Sequence, residues 1–111
     1  MRQLFPTVGH VDPANAYGRL AALGPGRTQV RVNMIASVDG ANVLSESGPG
    51  AAAQLAAAGL LDEVCLTVAP LLAAGEARRI LDGAALAPPS VLELAHVLEA
   101  DGYLFLRYRR R

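Results

Sequence analysis

The stretch that most constrains this chain is Asn42 to Leu60, NVLSESGPGAAAQLAAAGL. Val43 and Leu44 read as the end of a short buried strand, and Glu46-Ser47-Gly48 as a turn. Pro49 occupies a first helical position, where its missing N–H costs nothing and its fixed φ suits the helix. Gly50 and the Ala/Gln/Leu run carry the helix onward. Gly59 stops it, because glycine takes the left-handed conformation after a last turn without a Cβ penalty. A strand that passes through glycines into a helix leaves backbone N–H groups aimed at one spot, and the helix dipole adds partial positive charge there. Such a corner suits a phosphate. It is equally the ordinary corner of any α/β protein, and short glycine patterns match by chance. Glu46 precedes the turn, at what this reading makes the carboxyl end of a strand, where open α/β sheets hold ligands. The plainer alternative is a solvated carboxylate near a helix start.

Strand signals flank this corner. Val30, Val32, Met34 and Ala36 alternate with Arg31, Asn33, Ile35 and Ser37, which is strand periodicity. That strand runs into Ser37-Val38-Asp39-Gly40, and Asp-Gly is a turn signal. After the helix, Asp62-Glu63 precede Val64 to Ala69, a continuous β-prone run expected to be covered on both faces and ended by Pro70. Leu71 to Gly83 reads as a loop with a helical turn around Glu76 to Leu81, Arg78 and Arg79 being solvated charges. Val91 to Leu98 and Tyr103 to Arg109 read as strands around the hairpin signal Asp101-Gly102. Leu92, Leu94 and Leu98 are expected on one face, with His96 between them as a sheet residue. Met1 to Gly26, punctuated by prolines and glycines, reads as an N-terminal arm with helix around Asn15 to Leu23. The order implies an α/β fold with a mixed sheet, parallel early strands and a C-terminal antiparallel hairpin.

Composition narrows the chemistry. With 111 residues the chain has room for one small domain. Formal charge is zero, so no whole-protein field favours nucleic acid. All ten basic residues are arginine, which excludes a lysine nucleophile or Schiff base. Arg107, Arg109, Arg110 and Arg111 read as a solvated tail. Cys65 is the single cysteine, so no intrachain disulfide forms; in its apolar run it reads as a small buried hydrophobe. No metal site is expected. The N-terminus lacks the apolar core of a signal peptide, and no uncharged apolar run reaches about 18 residues. A cytoplasmic protein without membrane or nucleic-acid partners is expected.

Four stretches, in order, resemble one family: MRQLFP; RVNMIASVDGA; NVLSESGPGAAAQLAAAGLLDEVCLTVAPLLAAG; and LELAHVLEADGYLFLRYR. They are similar to the C-terminal reductase domain of the bifunctional riboflavin-biosynthesis deaminase-reductases, and to the stand-alone pyrimidine reductases of that group. The resemblance implies a dihydrofolate-reductase-like fold and NADPH-dependent reduction of a phosphorylated ribosylamino-pyrimidinone. It implies substrate contacts from Ser37, Asp39 and Glu46. It implies cofactor contacts from Gly40, Ser47, Gly48, Pro49, Gly50 and Ala51. It assigns no catalytic residue.

The departures from the family are specific. Its Glu-Gly-Gly-Pro turn is Glu46-Ser47-Gly48-Pro49 here, which adds a Cβ where a backbone should approach phosphate. Ala41 stands where a basic residue is common. Between Ala41 and Asn42 the family carries a long segment, with a second cofactor turn and basic residues for the substrate phosphate. This chain lacks it and reads as internally truncated. Alternatives to the pyrimidine reductase are therefore a non-catalytic remnant, or a dihydrofolate or pterin reductase on the same fold. Removal of the segment is expected to uncover the edges of Asn42 to Ser45 and Val64 to Ala69, giving a homodimer or further self-association.

Overall fold

The computed structural model describes residues 1–17, 29–40, 42–45 and 48–111. Ala41, Glu46, Ser47 and the greater part of the helix expected at Asn15 to Leu23 lie outside the described residues. The elements are β1 (Arg2–Phe5), β2 (Gly9–His10), α1 (Pro13–Tyr17), β3 (Arg31–Ser37), β4 (Asn42–Ser45), α2 (Pro49–Ala57), β5 (Glu63–Ala69), β6 (Leu92–Ala100) and β7 (Tyr103–Arg110). The strands form one seven-stranded sheet in the order β2-β1-β6-β7-β5-β3-β4.

The sheet is mixed, but its parallel character is confined to one pair. β3 and β5 run parallel through seven residue pairs, from Arg31 opposite Glu63 to Ser37 opposite Ala69. β4 is antiparallel to β3, with Met34 opposite Ser45 and Ile35 opposite Leu44. The expectation of parallel early strands thus holds for β3 and β5 and fails for β4. Chain length explains this. Only residues 38–41 separate β3 from β4, and a parallel neighbour needs a crossover of about a dozen residues or more. β5 lies between β3 and β7, not at an edge as the truncation argument expected; β4 and β2 form the edges. The described part of the arm contributes two strands that its composition does not announce. β1 pairs antiparallel with β6, and β2 with β1.

The helix α2 begins at Pro49 and ends as its sequence predicts. Gly59 has φ +69°. Its N–H donates to the Ala56 carbonyl at 3.1 Å, and the Leu60 N–H donates to the Leu55 carbonyl at 3.0 Å. This pair of bonds closes the last turn with glycine in the left-handed position. Beneath α2, Ala52, Val32, Met34, Leu61 and Val64 form the buried core, with Leu66, Leu92 and Tyr108 packed beside them. Alanine at 52 lets the helix lie close to the sheet, since that residue is fully buried.

At the C-terminus, Ala100 faces Tyr103 across a two-residue turn. Asp101 and Gly102 have φ +53° and +83°, the left-handed pair that tight hairpins require. A bulge between Leu94 and His96 breaks the register of β6 against β7. Leu92 and Leu94 consequently face α2, whereas His96 and the fully buried Leu98 face the other side, so these leucines do not share one face as their spacing suggests. The segment Glu76 to Leu81 forms bends and no helical turn. No helix among the described residues is long and apolar enough to cross a membrane.

Candidate functional site

Parallel pairing of β3 and β5 brings their carboxyl ends together, Ser37 beside Ala69. A cleft of about 570 Å³ opens there, lined by Ser37, Val38, Asp39 and Gly40, by Leu66 and Val68 of β5, and by Arg79 and Ile80. Three of the sequence-predicted residues therefore meet in one place.

Their geometry shows what each is committed to. The buried Ser37 hydroxyl donates to Asp39 Oδ1 at 2.5 Å. Asp39 also accepts the Ala73 N–H at 3.2 Å and the Ala74 N–H at 2.8 Å. The Ser37 hydroxyl first, and then these backbone donors, lower the Asp39 carboxyl from 3.8 to about 2. Asp39 is ionised at neutral pH and acts as a clamp, holding the 71–75 loop against the end of β3. The Val38 N–H donating to the Leu71 carbonyl at 2.9 Å closes the same junction. Ala74 sits at φ +50° inside this clamp, a conformation that costs a residue with a Cβ on the order of 1 kcal/mol. Gly40 has φ +90°, and a Cβ there would meet nothing within 4 Å; its conformation, not crowding, calls for glycine.

Arg79, which the sequence reads as a solvated charge, is exposed, and it borders the cleft. Arg78 pairs with Asp82 at 2.8 Å. Among the described residues Arg79 has no acidic partner, and its exposed side chain lines the cleft. Its placement follows from the Asp39 clamp, a contact spanning 34 positions of sequence, and no local pattern encodes that. The rim beside it is apolar and uncovered, with Val38, Leu71 and Leu72 being 61%, 51% and 82% exposed.

The start of α2 is a separate feature. Gly48 has φ 78° and ψ 150°, offers no side-chain cap, and is followed by Pro49 at the first turn. A Cβ at Gly48 or Gly50 would meet nothing within 4 Å. The first intrahelical bond is from the Ala52 N–H to the Gly48 carbonyl at 3.2 Å. Uncapped amides facing open space fit a phosphate chemically. Among the described residues, Gly48, Gly50 and Ala51 do not line the Ser37 cleft, however. Because β4 is antiparallel, the strand leading to Glu46 runs away from that cleft and ends opposite Met34. Glu46 and Ser47 themselves lie outside the described residues.

The opposite face of the sheet holds a buried charge cluster. Glu63, 1% exposed, accepts Arg31 Nε at 2.6 Å and Arg107 Nη2 at 2.5 Å. Burial raises its carboxyl pKa, but the hydrogen bonds from Arg107 and Arg31 outweigh that and hold it below the usual range. The buried His96 ring meets Tyr17 edge-on, with centroids 4.8 Å apart. Burial, then the Arg107 charge, lower the His96 pKa, so its ring is neutral at neutral pH. Burial pushes the Cys65 thiol up, which suits the packing role read from its sequence context and not a nucleophile. Asp62 stitches the edges of this region: Oδ2 accepts the Val30 N–H at 2.8 Å, and the Asp62 carbonyl accepts the Arg110 N–H at 2.9 Å. The Asp62-Glu63 dipeptide thus joins β3, β5 and β7 structurally.

Comparison with known proteins agrees with the motifs. No curated protein matches the chain. Two solved structures of Acinetobacter baumannii RibD are similar to parts of it. Form 2 is 27% identical over 58% of this chain and 19% of its own, with a TM-score of 0.49. Form 1 is 28% identical over 53% of this chain and 17% of its own, with a TM-score of 0.45. The chain therefore spans about a fifth of the length of these structures. Residues 28–104, which run from just before β3 into β7, match the RibD C-terminal domain family. That match takes in the Ser37–Gly40 loop, the α2 corner, the Asp62-Glu63 stitch and the Asp101-Gly102 hairpin, and the chain belongs to the RibD C-terminal domain family.

Proposed function

We propose that this chain is a binding form of the NADPH-dependent pyrimidine reductase of riboflavin biosynthesis, and that it holds the phosphorylated ribosylamino-pyrimidinone in the Ser37–Gly40 cleft without efficient turnover. The observation that carries the reading is the convergence of Ser37, Asp39 and Gly40 with Arg79 at the joined ends of β3 and β5, in a chain of this family. Leu66, Val68 and Ile80 give an apolar wall for a planar ring. Arg79, without an acidic partner among the described residues, faces the anionic end of the substrate. Asp39, tied to Ser37, Ala73 and Ala74, orders the rim and leaves the proton chemistry to other groups.

NADPH, when bound, supplies the hydride. The amides at Gly50 and Ala51, beside the uncapped Gly48, would hold one of its phosphates. Hydride transfer needs the reacting atoms about 3–3.5 Å apart, and such alignment contributes on the order of 7–11 kcal/mol. Among the described residues, Gly48, Gly50 and Ala51 at the helix start stand apart from the Ser37 cleft, which supports binding without near-attack alignment. The same separation supports the truncation of the chain between Ala41 and Asn42, where a four-residue link replaces the family's longer segment. The test is calorimetric titration of the phosphorylated pyrimidine into wild type and Arg79→Ala. Arg79→Ala should bind about tenfold more weakly, as loss of one charge-assisted contact implies, with an unchanged melting temperature. Equal binding by the two proteins would remove the cleft from the account.

A further inference from the structure

On the α2 face of the sheet, next to the Ser37 cleft, lies a second cavity of about 240 Å³. Its walls are Ala56 in the last turn of α2, Gly59 just past the helix end, the sheet residues Leu92 and Tyr108, and the connector residues Leu81 and Leu86. Among the described residues, nine of the twelve that line it are Ala, Gly, Leu, Ile or Val, and none is a carboxylate. The alanines of α2 are the cause: they let the helix approach at Ala52, and at Ala56 they leave the space that a longer side chain would fill. Leu66 and Ile80 separate this cavity from the Ser37 cleft, since both line each of them.

We infer that this cavity is a binding site for a small, uncharged aromatic molecule the size of one or two fused rings. Volume and polarity both point to that occupant. An apolar cavity of about 150 Å³ stays dry and takes up benzene; this one is larger and comparably apolar. Water gains little here, because it needs two to four polar partners, and the polar groups present are those of Ser90, Tyr108 and Arg110. Arg110 does not recruit an anion, because its guanidinium already donates to the Gly59 carbonyl and lies 3.3 Å from Asp62 Oδ1. A charged or hydrogen-bond-rich ligand would leave its polar groups unpaired against leucine walls. A ring gains by burying apolar surface and by stacking against Tyr108.

The experiment titrates indole into the full chain, with benzoate as a charged comparison, and follows ligand-to-protein nuclear Overhauser effects and the melting temperature. Indole should show contacts to the Tyr108 ring and to the methyls of Leu81 and Leu92. At ten times its dissociation constant it should raise the melting temperature by about 5 °C, and benzoate should do neither. Ala56→Leu and Leu92→Phe fill the space from opposite walls, and each should weaken indole binding at least tenfold. Indole contacts that map elsewhere, benzoate binding equal to indole, or no contacts at millimolar indole would each overturn the inference. The wild-type contact map decides the matter even where a filling variant does not fold.

Discussion

Replacement of Glu63 by glutamine should be the most damaging isosteric change in the molecule. Glu63 is 1% exposed and its two oxygens serve two guanidiniums, Arg31 at 2.5 Å and Arg107 at 2.5 Å. The arginine side chains are 21% and 16% exposed, so water reaches them only in part. Glutamine keeps the shape but removes the charge, and its amide NH2 meets one of the two donors head-on. Removing one partner from a buried ion pair costs about 3–5 kcal/mol; the partial exposure of both arginines places the expected loss near 3 kcal/mol. A domain has about 5–15 kcal/mol in all, so the variant should be folded but marginal. The assay is urea unfolding followed by circular dichroism, with an unchanged slope and a lower midpoint. The sign of the pH dependence follows from the lowered carboxyl pKa. The stabilisation is fully present above the unfolded carboxylate range of about 4.3 and is lost as pH falls through the lower native value. The gap between wild type and Glu63→Gln should therefore close in acid. A loss below about 1 kcal/mol at neutral pH, or a gap that widens in acid, would refute the reasoning.

Other perturbations have equally definite outcomes. Asp39 should titrate near 2 in a carboxyl-detected NMR experiment, its ionised form clamping the 71–75 loop down through the acid range until that value is reached; Asp39→Ala should speed amide exchange at Ala73 and Ala74 while leaving β5 protected. Gly59→Ala should cost about 1 kcal/mol in a denaturant melt, wholly from the left-handed φ, because the added Cβ would lie 3.8 Å from Arg110 Nη1, an ordinary contact. Among the described residues β4 is an edge strand of the sheet, and the protein should associate through it. Light scattering across a concentration series should show a dimer or larger species, and a constant monomer mass would count against this.

Local signals carried much of the fold. Pro49 and Gly59 mark both ends of α2, and Asp101-Gly102 marks the hairpin, because each depends on the conformational limits of one or two residues. The β3 and β5 runs were legible from apolar patterning. What escaped depends on contacts distant in sequence. The pairing of β1 with β6 is invisible in an arm of prolines and glycines. The bulge at Ala95 reverses the faces of β6 without a glycine or proline to announce it. Direction of β4 was misread because a strand–glycine–helix corner suggests a parallel unit, whereas the short link before Asn42 permits only a hairpin. At the candidate site, Ser37, Asp39 and Gly40 line one cleft because they belong to one turn, which is legible in the sequence. The nearness of Arg79 to that turn is not legible locally, because it joins segments distant in sequence. Asp39 accepts from the Ser37 hydroxyl and the Ala73 and Ala74 amides, contacts that the Asp-Gly turn signal does not announce.

We propose that this member of the RibD C-terminal domain family binds NADPH and the phosphorylated pyrimidine without aligning them for reaction. One continuous NADPH-fluorescence record tests it, taken with the protein in excess and the phosphorylated ribosylamino-pyrimidinone added midway. The account predicts a saturable fluorescence change on NADPH binding, weaker than that of a complete reductase domain, followed by no loss of signal above the uncatalysed rate once the pyrimidine is present. Oxidation of NADPH at a rate within tenfold of a complete reductase domain would contradict it, and would mean that the Ser37 cleft and the start of α2 come together to hold both reactants.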